Sequence, residues 1–273
     1  MTKFINKLQE GLEKNKPKIV FPEGNNQNII KAVELAKDYI EPILLTGDNA
    51  LVEAAKMVSR KEADAMVAGI DCTTRDVILT TRDNIGMKGK TFSSCFVIEL
   101  PNDKVYTLAD CGVCINPSAE QLGDIVLQTV ETHKQVSNEP PRVAMLSFST
   151  KGSARDQSID KINQTIELVK SAQPDLMIDG ELQLDAAVNP RVGQKKAPDS
   201  SVAGKANILV VPDINSGNIL YKSMEQFANG IAYGPILQGF NAPISDLSRG
   251  STVEDVFGVA IITAVRINNS KGE

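Results

Sequence analysis

An α/β fold is predicted by three observations. Short apolar runs of strand length alternate with longer segments whose apolar residues recur at helical spacing. The opening runs read β-α-β-α-β, an order that implies a parallel sheet with crossover helices. Polar, glycine-containing stretches follow several of the runs, at the carboxyl ends of strands where open α/β sheets bind ligands. A chain of 273 residues suits two small α/β domains or one large one.

The elements follow in order. Ile19-Val20-Phe21, ended by Pro22, reads as a buried strand, and Ile29, Val33 and Ala36 then mark a helix. Ile43-Leu44-Leu45 is a second strand, stopped by Thr46-Gly47-Asp48; residues Ala50 to Arg60 read as a helix, and Ala65-Met66-Val67-Ala68 as a third strand ending at Gly69. Phe92 to Leu100 and Val105 to Ala109 predict an antiparallel pair turned by Asn102-Asp103. A long helix is expected from Pro117, placed in its first turn, with Leu122, Ile125, Val126 and Val130 as its apolar stripe. Val143 to Leu146, Leu176 to Ile178 and Ile208 to Val211 read as strands separated by helices; Pro235 to Leu237 is a further short strand, and Val256 to Ile267 a final helix.

Composition narrows the function. Hydrophobic residues make up 42% and charged residues 23%, the balance of a folded globular chain. A net charge of −5 leaves no global basic field for nucleic acid. The single histidine, His133, excludes histidine pairs as metal ligands and moves acid–base work to Asp, Glu, Lys or Cys. Four cysteines suggest no disulfide framework. Cys111-Gly112-Val113-Cys114 spells C-x-x-C, but no second pair at zinc spacing accompanies it, so these thiols read as structural. The charged start, Met1 to Lys18, lacks the apolar core of a signal peptide, and no run reaches membrane-spanning length, so the expected location is the cytoplasm.

Five loops carry the candidate chemistry. Ser147 to Arg155, including Ser149-Thr150-Lys151-Gly152-Ser153, gathers hydroxyls, a glycine and two cations, the groups that bind phosphate, without Walker A spacing. Asp179-Gly180-Glu181-Leu182-Gln183-Leu184-Asp185 places three carboxylates after a strand; they suit a metal or a base, but capping and pairing with Lys195 or Lys205 is the favoured reading. Small residues around Ser201 to Asn207 and Pro212 to Asn218 permit close backbone approach. Ser245 to Asp255 opens the last helix and contains Ser248, Arg249 and Asp255. There Arg249 offers a planar fork for phosphate, while Thr252-x-x-Asp255 and Ser251-x-x-Glu254 both fit a capping box, so spacing alone makes Asp255 a cap.

Taken together, Val143 to Ser153, Asp179 to Ala187, Lys196 to Asn207, Pro212-Asp213 with Gly217-Asn218 and Tyr221-Lys222, Tyr233 to Gly239, and Asp246-Leu247-Ser248-Arg249-Gly250 resemble the phosphate acetyltransferase (phosphotransacetylase) family, almost continuously from Ala63 to the last helix. The resemblance implies two α/β domains with an interdomain cleft, the isocitrate/isopropylmalate dehydrogenase-like fold. Residues 1–91 plus 233–273 would form the first domain and 92–232 the second. It implies reversible acetyl transfer between acetyl-CoA and phosphate, giving acetyl phosphate and CoA. Neither metal nor cofactor is needed beyond the substrates, and the chain is expected as a homodimer with no nucleic-acid or membrane partner. In that family an Asp matching Asp255 takes the CoA thiol proton, a Ser matching Ser248 stabilises developing charge, and an Arg matching Arg249 binds the phosphoryl group. Residues Ser149, Thr150, Lys151, Gly152 and Ser153 would wall the acetyl phosphate pocket.

The chain departs from the family pattern in two ways. A block of several tens of residues between the second strand and Ala63 is absent. Positions where the family carries arginine hold Asn28, Leu79 and Gln226, with Arg75 and Arg82 near the second of them. Each lost charged hydrogen bond to substrate would cost about 1.5–3 kcal/mol. Two alternatives therefore stand beside the transferase: a non-catalytic acyl-CoA-binding or dimerisation homologue, and a phosphate butyryltransferase.

Overall fold

The computed structural model describes residues 2–12 and 16–270. Among these residues the fold is mixed α/β, with ten strands and ten helices. In chain order the first are α1 (Lys3–Gln9), β1 (Lys18–Phe21), α2 (Gln27–Ala36), β2 (Glu41–Leu44), α3 (Ala50–Ser59), β3 (Ala65–Ala68) and α4 (Thr74–Asn84). Then come β4 (Ser93–Glu99), β5 (Val105–Ala109), α5 (Ala119–Val136), β6 (Arg142–Leu146), α6 (Gln157–Ala172), β7 (Met177–Leu182), α7 (Leu184–Val188), α8 (Pro190–Lys196), β8 (Ile208–Val210) and α9 (Ile214–Ala228). The last are β9 (Ile231–Gln238), β10 (Ile244–Asp246) and α10 (Val253–Ser270). The chain divides into two compact units, 1–92 with 233–273 and 93–232.

In the first unit the strands run in the order β2-β1-β3-β10-β9. The first four are parallel and β9 is antiparallel to β10. The predicted β-α-β-α-β opening is present. All four residues of β3 are buried, as expected of a parallel strand covered on both faces. The final helix is buried along Val256–Ile267 and packs on α1 and α2, so it is a core helix rather than an amphipathic surface one.

In the second unit the order is β4-β5-β8-β6-β7. The predicted β4–β5 hairpin is antiparallel, with Cys95 opposite Ala109 and Glu99 opposite Val105, and Asp103 takes the left-handed turn conformation at φ 62°. The remaining pairs are parallel. Its core gathers Phe96, Leu108, Leu146, Leu182 and Leu209.

Several expectations are corrected. Pro117 precedes α5 rather than entering its first turn, because Ser118 is the N-cap and forms a complete capping box with Gln121. Strand β7 does not stop at Ile178 but runs through Asp179-Gly180-Glu181 to Leu182. Strand β9 is longer than Pro235–Leu237 at both ends. Helix α1, helix α4 and strand β10 have no counterpart among the predicted elements. Helix α4 buries only Val77, Ile78 and Thr81, too few apolar positions for periodicity to register. Strand β10 has three residues and only one of them is apolar.

Candidate active site

In the first unit the carboxyl ends of β1, β3 and β10 lie on parallel strands that are neighbours in the order β1-β3-β10. A carboxylate organises them. Glu23, just past β1, is buried and accepts the backbone N–H groups of Gly69 (3.0 Å), Ile70 (3.3 Å), Asp71 (2.8 Å) and Cys72 (2.8 Å). Four donors on one carboxylate hold the loop between β3 and α4 in a single shape. Asn26 adds a bond from its amide to Asp71 (3.1 Å). Gly69 is indispensable to this arrangement. Its φ is +110°, and a Cβ there would lie 2.0 Å from an Asp246 carboxyl oxygen.

The loop from Leu247 to Thr252 then opens α10. The Leu247 N–H reaches the Ala68 carbonyl (2.7 Å), so the loop leaves β10 alongside β3. Ser248, Arg249 and Gly250 are exposed, and Arg249 has no ion pair or hydrogen bond among the described residues. The loop is closed by the Ser251 N–H to the Ser248 carbonyl (2.9 Å). It is tethered by Asn28, whose amide donates to the Ser251 carbonyl (3.0 Å). Asn28, one of the positions where the family pattern carries arginine, is therefore built into the loop's support.

Asp255 is half-buried in the first turn of α10. Its Oδ2 accepts both the Thr252 N–H (2.8 Å) and the Thr252 hydroxyl (2.9 Å), while its own N–H donates to Thr252 Oγ1 (3.2 Å). The structure thus selects Thr252-x-x-Asp255 over Ser251-x-x-Glu254 as the capping box. Both side-chain bonds fall on Oδ2, which leaves Oδ1 unengaged among the described residues. One oxygen caps the helix and the other remains available to accept a proton.

The Ser149–Ser153 loop belongs to the second unit, at the carboxyl end of β6. Its sequence suggested free phosphate donors, but much of its polarity is spent internally. Ser149 and Thr150 are buried. The Ser149 hydroxyl donates to Glu181 (3.0 Å) and lies 3.0 Å from the Ser153 hydroxyl; the Gly152 N–H donates to Glu181 (2.7 Å). Thr150 Oγ1 accepts the Gln183 N–H (2.9 Å). Lys151, at φ 49°, pairs with Asp179 and reaches the Gly180 carbonyl (2.8 Å). Exposed side chains at Lys151, Ser153 and Arg155 remain on its outer surface.

The acidic run is structural, as favoured, but its partners differ from those expected. Asp179 pairs with Lys151 and Asp185 with Lys196 (2.8 Å), not with Lys195 or Lys205. Burial raises the Asp179 carboxyl, but the bonds from Lys151 and Ser200, with the Lys151 charge, bring it below its ordinary range. Asp110, after β5, repeats the Glu23 device: it accepts from the Ser94 hydroxyl (2.5 Å) and from the N–H groups of Gly112 (2.9 Å), Val113 (3.2 Å) and Cys114 (2.9 Å). Cys111 and Cys114 are free thiols. Burial and then the Asp110 charge push Cys114 up to about 12 and Cys111 well above its ordinary value, so neither forms a thiolate readily. Among the described residues no group of three or more His, Cys, Asp or Glu could hold a metal ion, and no helix is long and apolar enough to cross a membrane. His133 is buried on α5 with Nδ1 2.9 Å from Thr107 Oγ1; burial lowers it to about 4, so it is a neutral core residue at physiological pH.

Sequence reasoning missed Glu23 and Asp110, each just past a strand, and named Asn28 and Asp246 without assigning either a holding role.

Comparison with known proteins decides the lineage. Residues 45–264 match the family described as phosphate acetyl/butaryl transferase. The chain belongs to that family. A phosphate acetyltransferase of Clostridium acetobutylicum is 45% identical over 214 residues, covering 74% of this chain and 63% of that protein, so this match spans less than two thirds of the relative's length. A phosphate acetyltransferase of Bacillus subtilis is 33% identical across 97% of this chain and 99% of its own. That alignment runs over 322 positions against a chain of 273 residues, so it opens gaps opposite this sequence. Among solved structures, a phosphotransacetylase from Streptococcus pyogenes superposes with a TM-score of 0.91 at 33% identity, covering 98% of this chain and 99% of that one.

Proposed function

We propose that this family member is a phosphate acetyltransferase, moving an acetyl group reversibly between acetyl-CoA and phosphate. The observation that carries the reading is the β10–α10 loop. It holds Ser248, an unpaired Arg249 and an Asp255 with one carboxylate oxygen uncommitted, beyond the carboxyl ends of parallel strands. Asp255 takes the thiol proton of CoA through Oδ1, the thiolate attacks the acetyl carbonyl of acetyl phosphate, and the carbonyl carbon–oxygen bond to phosphate breaks, leaving acetyl-CoA and inorganic phosphate. Ser248 donates to the oxygen on which charge develops. Arg249 holds the phosphoryl group with its planar fork. The Ser149–Ser153 loop contributes a wall of the pocket through its exposed face. No metal and no cofactor enter this chemistry.

The same reading carries an isocitrate/isopropylmalate dehydrogenase-like pair of domains, 1–91 plus 233–273 and 92–232. It also carries a homodimer in the cytoplasm that binds neither nucleic acid nor membrane. The family description spans acetyl and butyryl enzymes, so comparing rates with acetyl-CoA and butyryl-CoA decides the acyl group. CoA-dependent arsenolysis of acetyl phosphate tests the whole reading. Turnover by the wild type that collapses in Asp255→Asn supports it. Equal near-zero rates in both, with CoA binding retained in calorimetry, would replace it with the non-catalytic homologue.

A further inference from the structure

The carboxyl group of Asp246 does not take part in the chemistry above, yet it is wholly buried two residues before Ser248. It ends β10, opposite Ala68 of β3. Its Oδ2 accepts the hydroxyl of Thr74, the first residue of α4, at 2.5 Å. Its Oδ1 rests against Gly69, close enough that any Cβ there would collide with it, and has no hydrogen-bond partner among the described residues. A buried carboxylate with one bare anionic oxygen is far more costly than a neutral acid in the same place.

We propose that Asp246 is the positioning residue for the Ser248–Arg249 segment: as an uncharged carboxylic acid it latches the end of β10 to Thr74 and Gly69, and so fixes where the exposed loop leaves the sheet.

The surroundings agree on the missing charge. Ala68 and Gly69 after β3, Thr74 of α4 and the neighbouring Leu247 bring no cation to the carboxyl. Glu23, past β1, is the charged group that acts on it, and it repels. Desolvation first, then the Glu23 charge, raises the acid to about 7 against the downward pull of the Thr74 hydroxyl and, more weakly, of the Leu247 N–H. In the neutral acid Oδ1 carries no full charge, so its lack of a hydrogen-bond partner costs far less than it would for a carboxylate. Through the Leu247 N–H bond to Ala68, this latch also sets the first peptide of the loop. Misplacement of a reacting group by about 1 Å can cost 10²-fold in rate, so a latch two residues from Ser248 is well placed to matter.

The inference rests on the proposed role of Ser248 and Arg249, and its test is built so that the two can fail separately. Asp246→Asn keeps the shape without the charge; Asp246→Ala removes the latch; Thr74→Val removes only the hydroxyl and serves if Asp246→Ala does not fold. In arsenolysis at about pH 6, below the raised value of the acid, Asp246→Asn is expected to keep kcat within about threefold, whereas Asp246→Ala and Thr74→Val lower kcat by about 10- to 100-fold with KM for CoA nearly unchanged. Amide hydrogen exchange reads the loop without turnover: the Leu247 and Ser251 amides should exchange at least about tenfold faster in Asp246→Ala and Thr74→Val, and at the wild-type rate in Asp246→Asn. A folded Asp246→Ala or Thr74→Val with wild-type exchange at both amides overturns the positioning role. Asp246→Asn as damaged as Asp246→Ala overturns the uncharged state. A wild type without turnover overturns only the transferase reading, and the exchange measurement then still decides the latch.

Discussion

The loops that follow β3 and β10 make an instructive pair. The strands are adjacent and parallel, and each loop leads into a helix opened by Thr-x-x-Asp: Thr73 with Asp76 for α4, Thr252 with Asp255 for α10. In each pair the Asp N–H donates to the Thr hydroxyl oxygen and the Thr hydroxyl donates to Asp Oδ2. The loops differ in what holds them. The one after β3 is saturated, with four consecutive N–H groups on Glu23. The one after β10 is held at its ends, by Ala68, Asn28 and its capping box, and leaves Ser248, Arg249 and Gly250 exposed between them. Closely related Thr–Asp caps thus serve a loop closed on itself and a loop that presents its groups outward, and Thr252 adds its own N–H to the aspartate. The Thr-x-x-Asp spacing cannot tell the loops apart; the neighbouring carboxylate does.

The largest expected effect breaks the pair at its two aspartates. Asp255→Asn should lower kcat by at least about 100-fold, the lower bound for removing a general base, whereas Asp76→Asn should leave kcat within about twofold. Both variants should lose a similar capping contribution, about 1 kcal/mol in urea denaturation. Equal kcat in the two would show that Asp255 is only a cap.

Gly69→Ala attacks the contact between the loops. The left-handed φ and the 2.0 Å approach to the Asp246 carboxyl leave no room for a methyl group, so a loss of about 3 kcal/mol or more is expected in chemical denaturation. Gly47 also has a positive φ, at 97°, but nothing lies within 4 Å of a Cβ there. Gly47→Ala should therefore cost only the backbone strain, about 1 kcal/mol.

The pH dependence sharpens the contrast between a buried acid and a buried base. Asp246 is raised to about 7 from an ordinary 3.8, so the folded chain keeps a proton that the unfolded chain releases. Its contribution is present at low pH and is lost as pH rises from about 4 to 7, about 4 kcal/mol in all. His133 is lowered to about 4 from 6.5, so the unfolded chain takes up a proton that the folded chain refuses. Its contribution is present above about 6.5 and is lost as pH falls toward 4, about 3 kcal/mol. The two slopes oppose each other in the wild type. Asp246→Asn should expose the His133 slope, and His133→Asn the Asp246 slope, in melting temperatures taken from pH 4 to 8. The smallest effect belongs to the tether: Asn28→Ala should lose about 1 kcal/mol and loosen Ser251, read by amide exchange.

Much of the fold was legible in the sequence where burial is continuous. Ile19-Val20-Phe21 and Ala65 to Ala68 are fully covered strands, and an unbroken apolar run is what such a strand requires. Helix α4 and strand β10 were not legible, because their stability comes from neighbours: α4 is placed by Glu23 and Thr73 at its start, and β10 is paired on both sides by β3 and β9. The candidate residues Ser248, Arg249 and Asp255 were readable through their ordered motif. The support beneath them was not, since Asn28 and Ser251 are 223 positions apart and Thr74 and Asp246 are 172 apart.

By itself the sequence determined the alternation of strands and helices, the absence of paired histidines and the family to which the chain belongs. These depend on local pattern and on ordered motifs, both of which survive in one dimension. Only the tertiary structure decided that Asp255 caps with one oxygen and spares the other, that Ser149 and Thr150 spend their hydroxyls on Glu181 and Gln183, and that Asp246 is buried against Gly69. Each of those outcomes depends on which donors reach a carboxylate or hydroxyl once distant strands lie side by side. Donor geometry and desolvation are properties of the packed chain, and no spacing along the sequence encodes them.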